Sequence, residues 1–164
     1  MKNPIQAILD FNIKAGFIKP DSSFKTFVDD RESAYLIEEA LEPNNVDYLA
    51  EVFKLDTSSE NYAKNPQREV AKAIIVNTEL TKPATKVELV DKYLDAIVYA
   101  VGALGKMGLT HQDITAGLNI VTEANMKKTI NPIYDENGKL LKPTNWEVFD
   151  PEVRLLNLIE KRGL

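Results

Sequence analysis

Residues 85–107 read TKVELVDKYLDAIVYAVGALGKM. Leu94, Ile97, Val98, Val101 and Leu104 recur at spacings of three and four, which places them on one face of a helix. Ala96, Ala100, Gly102 and Ala103 keep the other faces thin enough for another helix to approach closely. Thr85 and Glu88 have the spacing of a capping box at the start, and Gly108 follows the last turn. The stretch predicts one long helix to about Met107.

The same reading extends in both directions. A helix is expected over about Pro4 to Ala15, ended by Gly16. Asp29 looks like an N-cap, with Glu32 three residues on, for a helix carrying Tyr35, Leu36, Ile37, Ala40 and Leu41 and stopped by Pro43. A short helix should hold Val46, Leu49, Val52 and Phe53. Residues 56–66 are polar and read as a surface loop. A further helix follows near Gln67 to Leu80, with Val70, Ile74 and Ile75 buried, and Pro83 breaks the chain again. Thr110 should cap a helix reaching about Thr129. Beyond Asn131-Pro132 come a turn at Asp135-Glu136-Asn137-Gly138 and a last short helix from about Pro151 to Lys161. Five or six helices and no convincing strand alternation make the expected class all-α.

Composition bounds the function. The chain has 164 residues, 44% of them hydrophobic, which suits a single domain with a real core. It has no cysteine, so disulfides and thiolate metal sites are excluded. A net charge of −5 argues against nucleic acid as a partner, because phosphate backbones need basic surfaces. No apolar run approaches the roughly 20 residues of a membrane span. Met1 to Pro20 carries Asp10 and several polar residues, unlike a secretory signal, and the expected location is the cytoplasm.

Two acidic clusters stand out. Glu38, Glu39 and Glu42 lie in the helix before Pro43. At about 100° per residue, Glu38 and Glu42 sit about 40° apart, with Glu39 about 60° beyond Glu42. Asp91 and Asp95 form an i,i+4 pair on the long helix, with Glu88 one turn earlier. Both clusters border an apolar stripe, so they are expected near a helix–helix seam. Carboxylates gathered there need compensation, and Mg²⁺ suits them because it takes oxygen ligands and keeps sites for substrate phosphates. The alternative is that these are solvated faces of surface helices. Lys92 beside Asp91 would then neutralise part of the charge, and Glu88 would serve only the cap with Thr85.

Taken together, Glu38-Glu39-x-x-Glu42 and the later acidic pair resemble the MazG-like all-α nucleoside triphosphate pyrophosphohydrolases, whose pattern is EExxE followed by ExxD. Residues 10–16, residues 95–104 with Met107-Gly108-Leu109, Ala124-Asn125-Met126-Lys127-Lys128, and the tail from Asp135 to Pro143 with Trp146 are similar to stretches of that family in the same order. There are departures. Lys92 stands where strict ExxD places Glu, with Asp91 one residue earlier on nearly the same face. Position 127 is Lys rather than Ser. Thr122-Glu123 replaces the His-Arg that often precedes A-N.

The resemblance implies a four-helix-bundle-like core in one domain over residues 1–164. Extra helices would occupy an insert at about 44–84, and a C-terminal tail would run over about 131–164. It implies Mg²⁺-dependent hydrolysis of an NTP or dNTP at the α-phosphorus, giving NMP and pyrophosphate, with Mn²⁺ able to substitute. Glu39, Glu42, Asp91 and Asp95 would be metal ligands, and Glu38 the base or the group orienting water. Asn125 would contact sugar or base and Lys128 phosphate. An ordinary polar helix end is the other reading of Asn125 and Lys128. A homodimer or dimer of dimers is expected, with Ala96, Ala100 and Ala103 in a close seam between subunits. The competing function is a non-catalytic helical interaction module of the same fold. His111, the only histidine, reads as a surface residue, and Trp146 as a cap on the core or a stacking ring.

Overall fold

The computed structural model describes residues 3–161 except 24, 43, 79–84, 136–137 and 149. Among these the fold is all-α. Its helices are α1 (Pro4–Lys14), α2 (Asp29–Leu41), α3 (Asp47–Val52), α4 (Glu60–Lys64), α5 (Pro66–Thr78), α6 (Lys86–Lys106), α7 (His111–Lys128) and α8 (Glu152–Glu160), with a 3₁₀ turn at Trp146–Val148. An isolated antiparallel bridge joins Tyr134 to Leu140. The chain divides into two compact units, residues 23–90 and residues 1–22 with 91–164.

In the unit of residues 23–90, α5 packs along α2 and also receives α3 and α4. Val46, Ala50, Tyr62 and Val70 form its core, with Leu41, Leu49, Leu55 and Ile74 against them. The stretch 56–66, expected to be loop, holds α4. Ser59 Oγ accepts the Tyr62 N–H at 3.2 Å and caps the turn, while the Tyr62 ring enters the core. Polarity on one side of a five-residue helix hid this from the sequence. The expected cap of α2 also differs. Val28, not Asp29, occupies the cap position, and no side-chain hydrogen bond closes it. Asp29 accepts instead from Ser33 Oγ, one turn on, at 3.3 Å. Pro43, Leu80 and Pro83, and Glu136 and Asn137 of the expected turn, lie outside the described residues.

In the other unit, α7 packs on α1 and α8. Gly16 takes φ +72°, and its N–H bonds Ile13 O at 3.0 Å, so the expected glycine stop of α1 is real. The Tyr134 hydroxyl donates to Ala15 O at 2.7 Å, tying the tail to that stop. Phe17 packs edge-on to both Phe11 and Tyr134. Thr110 caps α7 in a reciprocal box with Asp113.

α6 has the extent read from the sequence, and Thr85 with Glu88 forms the expected box. The Thr85 N–H donates to Glu88 at 2.7 Å, and the Glu88 N–H to Thr85 Oγ1 at 3.2 Å. Its apolar stripe is not covered, and no residue of α6 is buried. Leu94, Ile97 and Val98 are 56%, 53% and 64% exposed. No helix of the described residues is long and apolar enough to cross a membrane.

Candidate functional site

Helix α2 separates its three glutamates by rotation. Glu38 turns inward and is 1% exposed, whereas Glu39 and Glu42 are exposed. Glu42 is the C-cap residue of the helix. The difference follows from the packing of α2 on α5. Ser33, Ala34 and Glu38 are the buried residues of α2, and Arg68, Val70, Ala71, Ala73 and Ile75 those of α5.

The partner of Glu38 is Arg68, whose Nη1 donates to Glu38 Oε2. Asn65 Nδ2 donates to the other carboxylate oxygen at 2.7 Å. Asn65 Oδ1 in turn accepts the Arg68 backbone N–H at 2.9 Å, so the same residue caps the start of α5 and holds the acid. The Arg68 guanidinium stacks over the Tyr35 ring, 3.9 Å from its centroid. Both oxygens of the buried acid are thus engaged, as burial of a charged pair requires.

Sequence reasoning singled out Glu38 and missed Arg68, Asn65 and Tyr35. A signal was present. Arg68 stands three residues before Ala71 and seven before Ile75, on the face that Val70 and Ile74 flank. A cation on an apolar face calls for a buried acid.

Asp91 and Asp95 are both exposed on α6. Together with Glu42 they make no side-chain hydrogen bond or ion pair among the described residues. Lys92 lies between them in sequence, with its ammonium 5.2 Å from the Tyr93 ring centroid. Glu39 and Glu42 belong to one unit, and Asp91 and Asp95 to the other. Among the described residues, no group of three or more Asp, Glu or His side chains is placed to hold a metal ion.

Asn125 and Lys128 lie in the last two turns of α7, both half-buried. Lys128 places its ammonium 4.9 Å from the Trp146 ring centroid. The two residues that depart from the His-Arg pattern have structural partners. Thr122 is buried, and its hydroxyl donates to Leu118 O at 2.6 Å. Glu123 accepts from Arg154 at 2.9 Å and so links α7 to α8. His111 is an exposed residue in the first turn of α7.

No family model matches the chain, and no curated protein matches it significantly. Among solved structures, the chain is similar to a proposed NTP pyrophosphohydrolase from Exiguobacterium sp. 255-15. The two share 22% identity, with a TM-score of 0.57 over 99% of this chain and 96% of that one. This likeness spans nearly the full length of both and establishes a common all-α fold.

Proposed function

We propose that this chain is a divalent-cation-dependent nucleoside triphosphate pyrophosphohydrolase that releases NMP and pyrophosphate. The observation that carries the reading is the acidic pattern. Glu39 on α2, Glu42 at its C-cap, and Asp91 and Asp95 on α6 are all solvent-facing carboxylates that follow the order of the MazG-like pattern, with Asp91 one residue before the position of the ExxD glutamate. The solved neighbour with the same fold is itself a proposed NTP pyrophosphohydrolase, which supports the reading.

These four residues are oxygen donors of the kind Mg²⁺ or Mn²⁺ takes, and thiolates are absent from the chain. A bound cation would polarise the phosphoryl group and lower the pKa of an attacking water. The carboxylates would offset the charge of that cation, and Asn125 and Lys128 would fix the nucleotide and its phosphates.

Glu38 admits two readings. As a base or water-orienting group it would need access to the site. Its burial, with both oxygens engaged by Arg68 and Asn65, favours the second reading, an anchor that holds α2 so that Glu39 and Glu42 face outward. A homodimer or dimer of dimers is part of the proposal, supported by the uncovered apolar stripe of α6.

A panel of NTPs and dNTPs incubated with Mg²⁺ or Mn²⁺, with products separated by chromatography, tests the function. NMP and pyrophosphate are expected, and a chelator should abolish them. The competing reading, a non-catalytic helical module, draws on Lys92 and Thr122-Glu123. It gains if no nucleotide is turned over with either metal.

A further inference from the structure

Tyr35, Glu39 and Glu42 stand at i, i+4 and i+7 on α2, and Glu42 at the C-cap keeps helical angles. At about 100° per residue the three fall within a sector of about 60°. The tyrosine therefore lies one turn before Glu39, and about 10 Å of helix rise before Glu42, on the same face. It is half-buried, and its hydroxyl makes no hydrogen bond among the described residues. Its ring contact there is with Arg68, whose guanidinium carbon lies 3.9 Å from the ring centroid. Arg68 is itself 8% exposed and is held by Glu38, which Asn65 holds in turn. The ring is thus backed on one face by a cation that cannot swing away, which fixes its plane. A flat, fixed and partly open aromatic ring beside two exposed carboxylates is a stacking surface.

We propose that Tyr35 is the residue on which the base of a bound nucleotide stacks. The inference rests on the function proposed above, in which Glu39 and Glu42 hold a cation that takes the phosphates. One sugar separates base from phosphates in a nucleotide. With the phosphates at the C-terminal end of α2, the base reaches back along the same face to the tyrosine. Every base has a π-face, so the ring adds affinity for the nucleoside part without choosing among bases. The buried Glu38–Arg68 pair then serves the site indirectly, by holding the ring flat. The competing role for Tyr35 is purely structural, a cover over the Arg68 guanidinium, and the two roles make different demands on the ligand.

The full chain is titrated by calorimetry, with Mg²⁺ present, against three ligands: the α,β-methylene analogues of ATP and UTP, which resist cleavage at the α-phosphorus, and inorganic tripolyphosphate, which has no base. Tyr35→Leu should weaken both nucleotides about ten-fold, the worth of one stacked base, and leave tripolyphosphate within about two-fold. Tyr35→Phe keeps the ring and should bind all three within about two-fold of the parent. A second readout needs no substitution that could unfold the chain. The ring protons of Tyr35, identified by their loss in Tyr35→Phe, should shift upfield in the parent when nucleotide is added and stay in place with tripolyphosphate. Equal weakening of all three ligands in Tyr35→Leu, unchanged nucleotide affinity in that variant, or ring protons that nucleotide leaves in place would each overturn the proposal. The expected pattern without hydrolysis of ordinary NTPs would sink the enzyme and keep the stacking residue. Hydrolysis with nucleotide affinity indifferent to Tyr35→Leu would do the reverse.

Discussion

Glu38 and Glu39 are neighbours in sequence, and one step of about 100° around α2 separates a buried carboxylate from an exposed one. The consequences for substitution are opposite. Arg68→Ala would leave the Glu38 charge buried without its partner, and a loss of about 3–5 kcal/mol in denaturant unfolding is expected. The paired change Glu38→Leu with Arg68→Met removes both charges and should cost far less. If Arg68→Ala unfolds within about 0.5 kcal/mol of the parent, as an ordinary surface change does, the buried pair is not what anchors α2. Glu42→Gln and Asp95→Asn behave the other way. Both sites are exposed, so stability should stay within about 0.5 kcal/mol. Activity should nearly vanish, since each change keeps shape and removes a charge that would bind metal. Near-wild-type turnover in either variant would place the site elsewhere.

Helices with both a strong apolar period and a local stop signal are legible from sequence: α1 with Gly16, α6 with its Thr85–Glu88 box, and α7 with Thr110. α4 is not, because a single buried tyrosine in five residues gives no period. The cap of α2 lies one residue earlier than the polar signal suggests. Val28 holds that position and has no side-chain acceptor to announce it, while Asp29 serves Ser33 instead. The extent of α6 can be read, but not what covers it. An apolar stripe is the same in sequence whether its partner is another helix of the chain or another copy. With Leu94, Ile97 and Val98 more than half exposed, the chain is expected to self-associate through α6. Light scattering at micromolar concentration should give at least a dimer mass, and Leu94→Gln with Ile97→Gln should lower it. A monomer mass for the parent chain would contradict this. The start of α6 also carries a pH signature. Hydrogen bonds from the Thr85 backbone and hydroxyl hold the Glu88 carboxyl below its usual range. A carboxyl whose folded pKa is lowered stabilises the fold above its unfolded pKa, and that contribution is lost as pH falls through the folded value. The melting temperatures of the parent and Glu88→Gln, which removes the charge and keeps the Thr85 cap, should therefore differ near neutrality and draw together below about pH 4. A constant gap across that range would show that the box contributes nothing through Glu88.

At the scale of the whole molecule, the acidic pattern is the most informative part of the sequence, and the network behind it the least. Glu39, Glu42, Asp91 and Asp95 can be picked out because acids at helical spacing are visible in one dimension. Asn65 and Arg68 are far from Glu38 along the chain, and only the packing of α5 on α2 brings them together. The contacts of Trp146 with Lys128 and Lys142 are equally non-local, joining the end of α7 to the tail. The central claim is the bond that is cut, and isotope placement decides it. The protein is incubated with an NTP and Mg²⁺ in ¹⁸O-labelled water, and the products are analysed by mass spectrometry. Attack at the α-phosphorus predicts label in NMP, unlabelled pyrophosphate and no NDP at any time point. Accumulation of NDP with label in inorganic phosphate would mean cleavage at the γ-phosphorus and would contradict the account.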